Sequence, residues 1–210
     1  MEEKERMAKI LDILEKRFPH ARLLLEFSNP FELLVATILA AQAPDERVNQ
    51  ITKTLFQRFP TPQALSHASL SEIEEIIHSL PYYRQKARSL KETSSILVEQ
   101  FAGEVPPELS ELTSLPGVGR KTANIVLANA FHIPAIAVDT HVARVSQRLG
   151  FASSSSPSEI EKDLSSLIPQ ECWIRATHLL GFLGRTTCLA KKPRCPECPV
   201  QEWCPSSISS

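Results

Sequence analysis

The chain has 210 residues, 42% of them hydrophobic, with a formal net charge of -1. That is enough apolar content for one large or two small packed cores, and with only 22% charged residues it is not a disordered composition. Only 6 glycines are present and long Val/Ile/Thr runs are absent, which excludes a β-sandwich or barrel as the first choice and favours helices.

The N-terminus, Met1-Glu2-Glu3-Lys4-Glu5-Arg6, is charged and helical in character and reads as no signal peptide. Asn29-Pro30-Phe31-Glu32 combines a capping side chain, proline in the first turn and Glu at the third position. It predicts an almost wholly apolar, buried helix over 30–41. Further helices are expected at 44–58, at 69–79 from the capping-box spacing of Ser69 and Glu72, and at 84–101. Past Pro106-Pro107 come a short helix at 108–113, a tight turn at Leu115-Pro116-Gly117-Val118-Gly119, and helices at 120–130, 139–149, 158–168 and 172–183. The tail from Thr186 is rich in Pro and Cys, with little helical pattern. No apolar run approaches the ~20 residues of a membrane span, so a cytoplasmic, nucleoid-associated protein without membrane contact is expected.

The near-zero charge is segregated. Arg84, Lys86, Arg88 and Lys91 form one run without an acid, and Arg185, Lys191, Lys192 and Arg194 form another. Both suit phosphates. The glycine turn between two helices suits them too: Gly117, Val118 and Gly119 let backbone come close, and amides at the start of the next helix can meet a phosphate oxygen. Such contacts hold DNA without reading its sequence, although an ordinary helical hairpin could use the same glycines.

The stretch from Leu115 through Thr122-Ala123-Asn124, continued by Ala137-Val138-Asp139-Thr140-His141, resembles the helix–hairpin–helix superfamily of DNA glycosylases, and endonuclease III in particular. The resemblance runs from Glu32 to Cys204. It implies an all-α, two-lobed fold: a six-helix barrel over 23–132, and an iron–sulfur cluster domain made of 1–22 and 133–210. It also implies base excision repair on double-stranded DNA by a monomer. The activity would be removal of oxidised or otherwise damaged pyrimidines, with strand cleavage 3′ to the abasic site by β-elimination.

Lys121 stands two positions after the last turn glycine, near the positive end of a helix. Such a position, with partial burial, would favour the neutral, nucleophilic amine. On residues alone a phosphate-contacting lysine reads better. The resemblance makes Lys121 the Schiff-base nucleophile, and Asp139, which could equally be a plain helix cap, the catalytic carboxylate. A mismatch glycosylase without lyase activity would fit another residue at 121. A non-catalytic DNA-binding module would need neither residue.

Cys188, Cys195, Cys198 and Cys204 follow a C-x6-C-x2-C-x5-C spacing that points to metal. Spacing leaves zinc and iron–sulfur nearly equal. The resemblance implies a [4Fe–4S] cluster. Lys191, Lys192 and Arg194 lie inside its loop, as a phosphate clamp or a merely solvated face. Cys172 lies outside the pattern and is expected in the core.

A base inside a duplex must be flipped out before its sugar can be attacked. By resemblance Gln42 and Tyr82 fill the hole; on residues alone they are as well read as a capping glutamine and a core tyrosine. The chain departs from the family's wedge segment, which is closer to Gly-Leu-Tyr-Asn, with Pro81-Tyr82-Tyr83-Arg84. Alanines at 40 and 41 and Pro44 replace a Ser and a Thr common around the Gln motif.

Overall fold

The computed structural model describes residues 2–207. Among these the chain forms eleven α-helices and three short 3₁₀ turns, with no strand. The helices are α1 (Glu3–Arg17), α2 (Pro30–Leu39), α3 (Asp45–Arg58), α4 (Pro62–His67), α5 (Leu70–Ile77), α6 (Tyr83–Gln100), α7 (Leu109–Ser114), α8 (Arg120–Ala130), α9 (Thr140–Arg148), α10 (Pro157–Leu167) and α11 (Trp173–Thr186). The chain divides into two compact units. One is the continuous segment Leu24–Ile133; the other joins the chain up to Leu23 to the chain from Pro134 onward.

In the continuous unit, α2 supplies the core. Its residues Phe31 and Leu33 through Leu39 are all buried, as expected of so apolar a helix. Asn29 caps it by accepting from the Glu32 amide at 2.9 Å, with Pro30 in the first turn. Leu39, the last residue of the helix, is itself buried, so its carbonyl needs donors from elsewhere. Lys86 on α6 provides them: its Nζ donates to Leu39 O at 2.9 Å and Ala41 O at 2.7 Å, and the residue is only 5% exposed. Lys91 acts likewise, donating to Ala68 O at 2.6 Å at the C-cap of α4. Half of the basic run expected to face DNA is therefore committed to carbonyls inside the fold. Of its four members, Arg84 and Arg88 are exposed.

Helix α4 is absent from the expected elements, although Thr61 before Pro62 starts it with the same Thr/Asn–Pro device as α2. Six residues carry too little periodicity to read. Helix α8 matches its expected bounds, and α5 shows the expected capping box between Ser69 and Glu72.

In the discontinuous unit, Met7, Ile10 and Leu14 of α1 join Val142 and Val145 of α9, Ile160 and Leu164 of α10, and Leu179, Leu180 and Leu183 of α11 in one core. Arg175 of α11 pairs with Glu15 and donates to the carbonyls of Phe18, Pro19 and Ala21, closing the C-terminal end of α1. Helices α9 and α11 approach so closely that only glycine fits at 184: a Cβ there would lie 2.8 Å from His141 Cβ and 3.2 Å from its backbone. At Gly181 the nearest atom would be 3.8 Å away, an ordinary contact. Gly184→Ala is thus expected to destabilise by about 1–3 kcal/mol through overpacking. Gly181→Ala should be neutral or stabilising by up to about 1 kcal/mol through helix propensity. Thermal melts of the two variants check the pair.

Candidate functional site

The hairpin turn joins α7 to α8. Val118 N–H bonds to Leu115 O at 3.1 Å, and Gly117 takes φ +79°, a left-handed conformation that a side chain would strain. Space forbids a side chain there as well, since a Cβ would meet Ser89 Cβ at 3.0 Å. Gly119 is the N-cap of α8; a Cβ there would touch nothing within 4 Å, and no side chain caps the helix. The turn thus presents an uncapped helix N-terminus with open space before it, the arrangement an anion needs. Val118 is buried and anchors the turn. Lys121 sits in the first turn of α8 and is exposed, not partly buried as expected.

Gln42 and Tyr82 share an unexpected feature. Both are non-glycine residues in the left-handed region, at φ +56° and +57°, and both are exposed, Tyr82 by 62%. Strain of this kind costs about 1–3 kcal/mol per residue and persists only where surroundings enforce it. Tyr82 is therefore not a core residue, and Gln42 does not cap α2, whose C-cap is Ala40. The two line one open cavity of about 280 Å³ together with Gln85, Lys86, Ser89 and Gly117. The structure so brings Gln42, Tyr82 and the hairpin glycine together within one unit.

Asp139 belongs to the other unit, where it is the N-cap of α9. Its Oδ1 accepts from the amides of His141 at 2.9 Å and Val142 at 2.7 Å. Its Oδ2 lies 3.4 Å from the Arg185 guanidinium, and the side chain is 16% exposed. One oxygen is consumed by the helix; the other is held beside a cation.

All four tail cysteines, with free thiols, line a single cavity of about 160 Å³. Burial pushes the Cys198 and Cys204 thiols up from their ordinary value, and the neighbouring cysteines push them further. Thiols so placed ionise readily only with a cation between them. Among the described residues no three His, Cys, Asp or Glu side chains gather tightly enough around one point for a single metal ion. Four sulfurs lining one cavity form a donor set suited to a thiolate-bound metal centre. Helix α9 holds the loop from behind: Arg144 donates to Cys188 O at 3.0 Å, and Arg148 donates to Cys188 Sγ at 3.3 Å and Leu189 O at 2.7 Å. Lys191, Lys192 and Arg194 are exposed on this loop. Cys172 is exposed too, contrary to the core position expected.

Residues 35–170 match the model of the HhH-GPD superfamily of base excision DNA repair proteins, and residues 188–204 match the iron–sulfur binding domain of endonuclease III. The chain belongs to the endonuclease III family. It is 49% identical over 208 residues to endonuclease III of Synechocystis, covering 99% of this chain and 95% of that one. It is 42% identical over 201 residues to that of Escherichia coli, covering 96% and 95%. A structure of a trapped endonuclease III–DNA covalent intermediate superposes with a TM-score of 0.94 at 46% identity, over 99% of this chain and 98% of the other. A thermostable thymine-DNA glycosylase at 21% identity, with a TM-score of 0.86, shares the fold. Membership makes the chain an all-α, helix–hairpin–helix base excision repair enzyme, a DNA glycosylase and AP lyase, with a [4Fe–4S] cluster as its cofactor. The four cavity cysteines are the thiolates suited to hold that cluster, which when bound supplies the cross-link that fixes the basic loop.

His178 on α11 stands in no motif and is not singled out from the residues. Burial, then the Arg175 and Arg185 cations, lower its pKa from 6.5 to about 4. Between these values the unfolded chain binds more protons than the folded one, so stability present above pH 6.5 is lost as pH falls toward 4, by at most about 3 kcal/mol. Thermal midpoints recorded across that range should fall in the native protein and fall less in His178→Gln. A second expectation concerns the metal: the purified protein should be brown, with iron and acid-labile sulfide and no zinc, and Cys198→Ser should lose both iron and colour.

Proposed function

We propose that Lys121 is the nucleophile and Asp139 the catalytic carboxylate of this enzyme, acting on a damaged pyrimidine or an abasic site flipped out of double-stranded DNA. The carrying observation is Asp139 itself. A plain cap needs only one carboxylate oxygen, and here Oδ1 makes both amide bonds while Oδ2 is directed away from the helix to a long, 3.4 Å pairing with Arg185. A carboxylate fixed at a helix N-terminus can meet positive charge developing on the sugar.

Lys121 attacks C1′ with its lone pair, the base departs with the electrons of the glycosidic bond, and the amine's proton passes to a nearby base. Ring opening gives an imine, which acidifies the C2′ proton. Its removal expels the 3′ phosphate by β-elimination. The exposure of Lys121 on the first turn of α8 supports this role, since the amine must reach a bound sugar. The uncapped α8 N-terminus with Gly117, Val118 and Gly119 would hold backbone phosphate, and Lys191, Lys192 and Arg194 would add a second phosphate contact. Gln42 and Tyr82 would occupy the space vacated by the flipped nucleotide. Tyr82 adds an aromatic face that can stack on bases. One chain carries both halves of the chemistry, so a monomer suffices. Among the described residues no helix is long and apolar enough to cross a membrane, in keeping with a cytoplasmic protein working at the nucleoid.

Borohydride should trap the native protein covalently on DNA with an abasic site, and trapping should vanish in Lys121→Gln; full trapping by that variant would reassign the nucleophile. Asp139→Asn keeps a good helix cap. It should therefore melt within about 1 kcal/mol of the native protein yet lose about 100-fold or more in single-turnover base excision.

A further inference from the structure

One face of α6 carries Lys86, Ser89 and Thr93, extended by Tyr82 just before the helix, at the 4-3-4 spacing that aligns side chains along a helix. Each makes contact with an element that the functional reading assigns to DNA. Lys86 N–H bonds to Tyr82 O at 3.0 Å, closing the first turn behind the strained tyrosine. Its Nζ grips Leu39 O and Ala41 O at 2.9 and 2.7 Å, the carbonyls just before the strained Gln42. Ser89 lies against Gly117, and Thr93 Oγ1 donates to Pro116 O at 2.9 Å. Lys86 thus touches the backbone on both sides of the cavity that Gln42 and Tyr82 line.

We propose that Lys86 is a positioning residue for nucleotide extrusion: its buried ammonium fixes the Gln42 loop to the Tyr82 loop so that the two side chains enter the duplex as one preset wedge. This rests on the reading of Gln42 and Tyr82 as the residues that fill the vacated space. The physical logic is preorganisation. Each loop holds a left-handed residue that would relax if unsupported, and a loop that must be re-strained on binding spends binding energy otherwise available for unstacking. A neutral or shorter side chain at 86 would release the Ala41 carbonyl first, since α2 still constrains Leu39. Lys86 differs from the attacking amine in chemical role: it is buried, bonded to two carbonyls, and needed for no proton transfer.

The test compares duplex with single-stranded substrate. An abasic site in a single strand needs no extrusion, whereas the same site in a duplex does. Lys86→Met keeps the length and apolar stem of the side chain and removes its donors; Lys86→Gln retains one neutral donor and serves if the first variant does not fold. For each, single-turnover strand cleavage is measured on an abasic site in duplex and in single-stranded DNA, and the duplex-to-single-strand ratio is taken relative to the native protein. The expected result is a ratio lowered between about tenfold and a hundredfold, the usual consequence of misplacement by about an ångström, with single-strand cleavage close to native. Fluorescence of 2-aminopurine beside the abasic site, at saturating protein, should show reduced unstacking in the same variants. An unchanged ratio and unchanged fluorescence in a folded variant would overturn the inference. So would loss of folding in both variants, because Lys86 would then serve the fold alone. If the native protein itself neither cleaves nor traps abasic DNA, the functional reading fails instead, before the variants are compared.

Discussion

A single burial problem organises the continuous unit. Helix α2 is buried along nearly its whole length, so the carbonyl of its last residue, Leu39, needs a donor from the protein, and one lysine from α6 supplies it while also binding Ala41 O just beyond the helix. A buried ammonium is costly unless its donors are used, and burial already holds the Lys86 pKa below its ordinary value. With two carbonyls 45 and 47 positions away in sequence as acceptors, the register of α6 against α2 is set. The hairpin follows from that register, since Gly117 and Pro116 rest on the next turns of the same helix. The loops that carry Gln42 and Tyr82 are thereby held in conformations they would not choose alone.

In the discontinuous unit, α9 performs the corresponding service. Its N-terminus is organised by Asp139, and two arginines one turn apart, Arg144 and Arg148, grip the chain around Cys188. Close packing on α11, enforced at Gly184, leaves α9 little freedom to shift. The cysteine loop and the Asp139 carboxylate are consequently both attached to α9.

Much of this was legible in the residues. Caps announced the helices: Asn29 with Pro30, Ser69 with Glu72, and Gly119 before α8. The cysteine spacing announced a metal site, and the motif from Leu115 through His141 announced the family. What escaped were properties that depend on distant partners. Nothing local distinguishes Lys86 and Lys91 from Arg84 and Arg88, so a run of four cations read as one exposed patch although two of them are turned inward. Nor does a glutamine or a tyrosine advertise a left-handed backbone; glycine would have, and its absence at 42 and 82 hid the strain. The exposure of Lys121 and of Cys172 was likewise invisible, because amphipathic pattern is weakest in first turns and short connections.

The discontinuity of one unit has a consequence for biosynthesis. The apolar face of α1, built from Met7, Ile10 and Leu14, finds its core partners only among residues from Ile136 to Val200, apart from Ala21 close by. As the chain leaves the ribosome this amphipathic segment emerges before the Leu24–Ile133 unit and stays without its core partners while that unit is made. That inserted unit has its own core and can condense in the interval, since domains generally fold as units during synthesis. The nascent chain therefore carries a folded middle and an uncovered α1 until α9 through α11 arrive to pack against it.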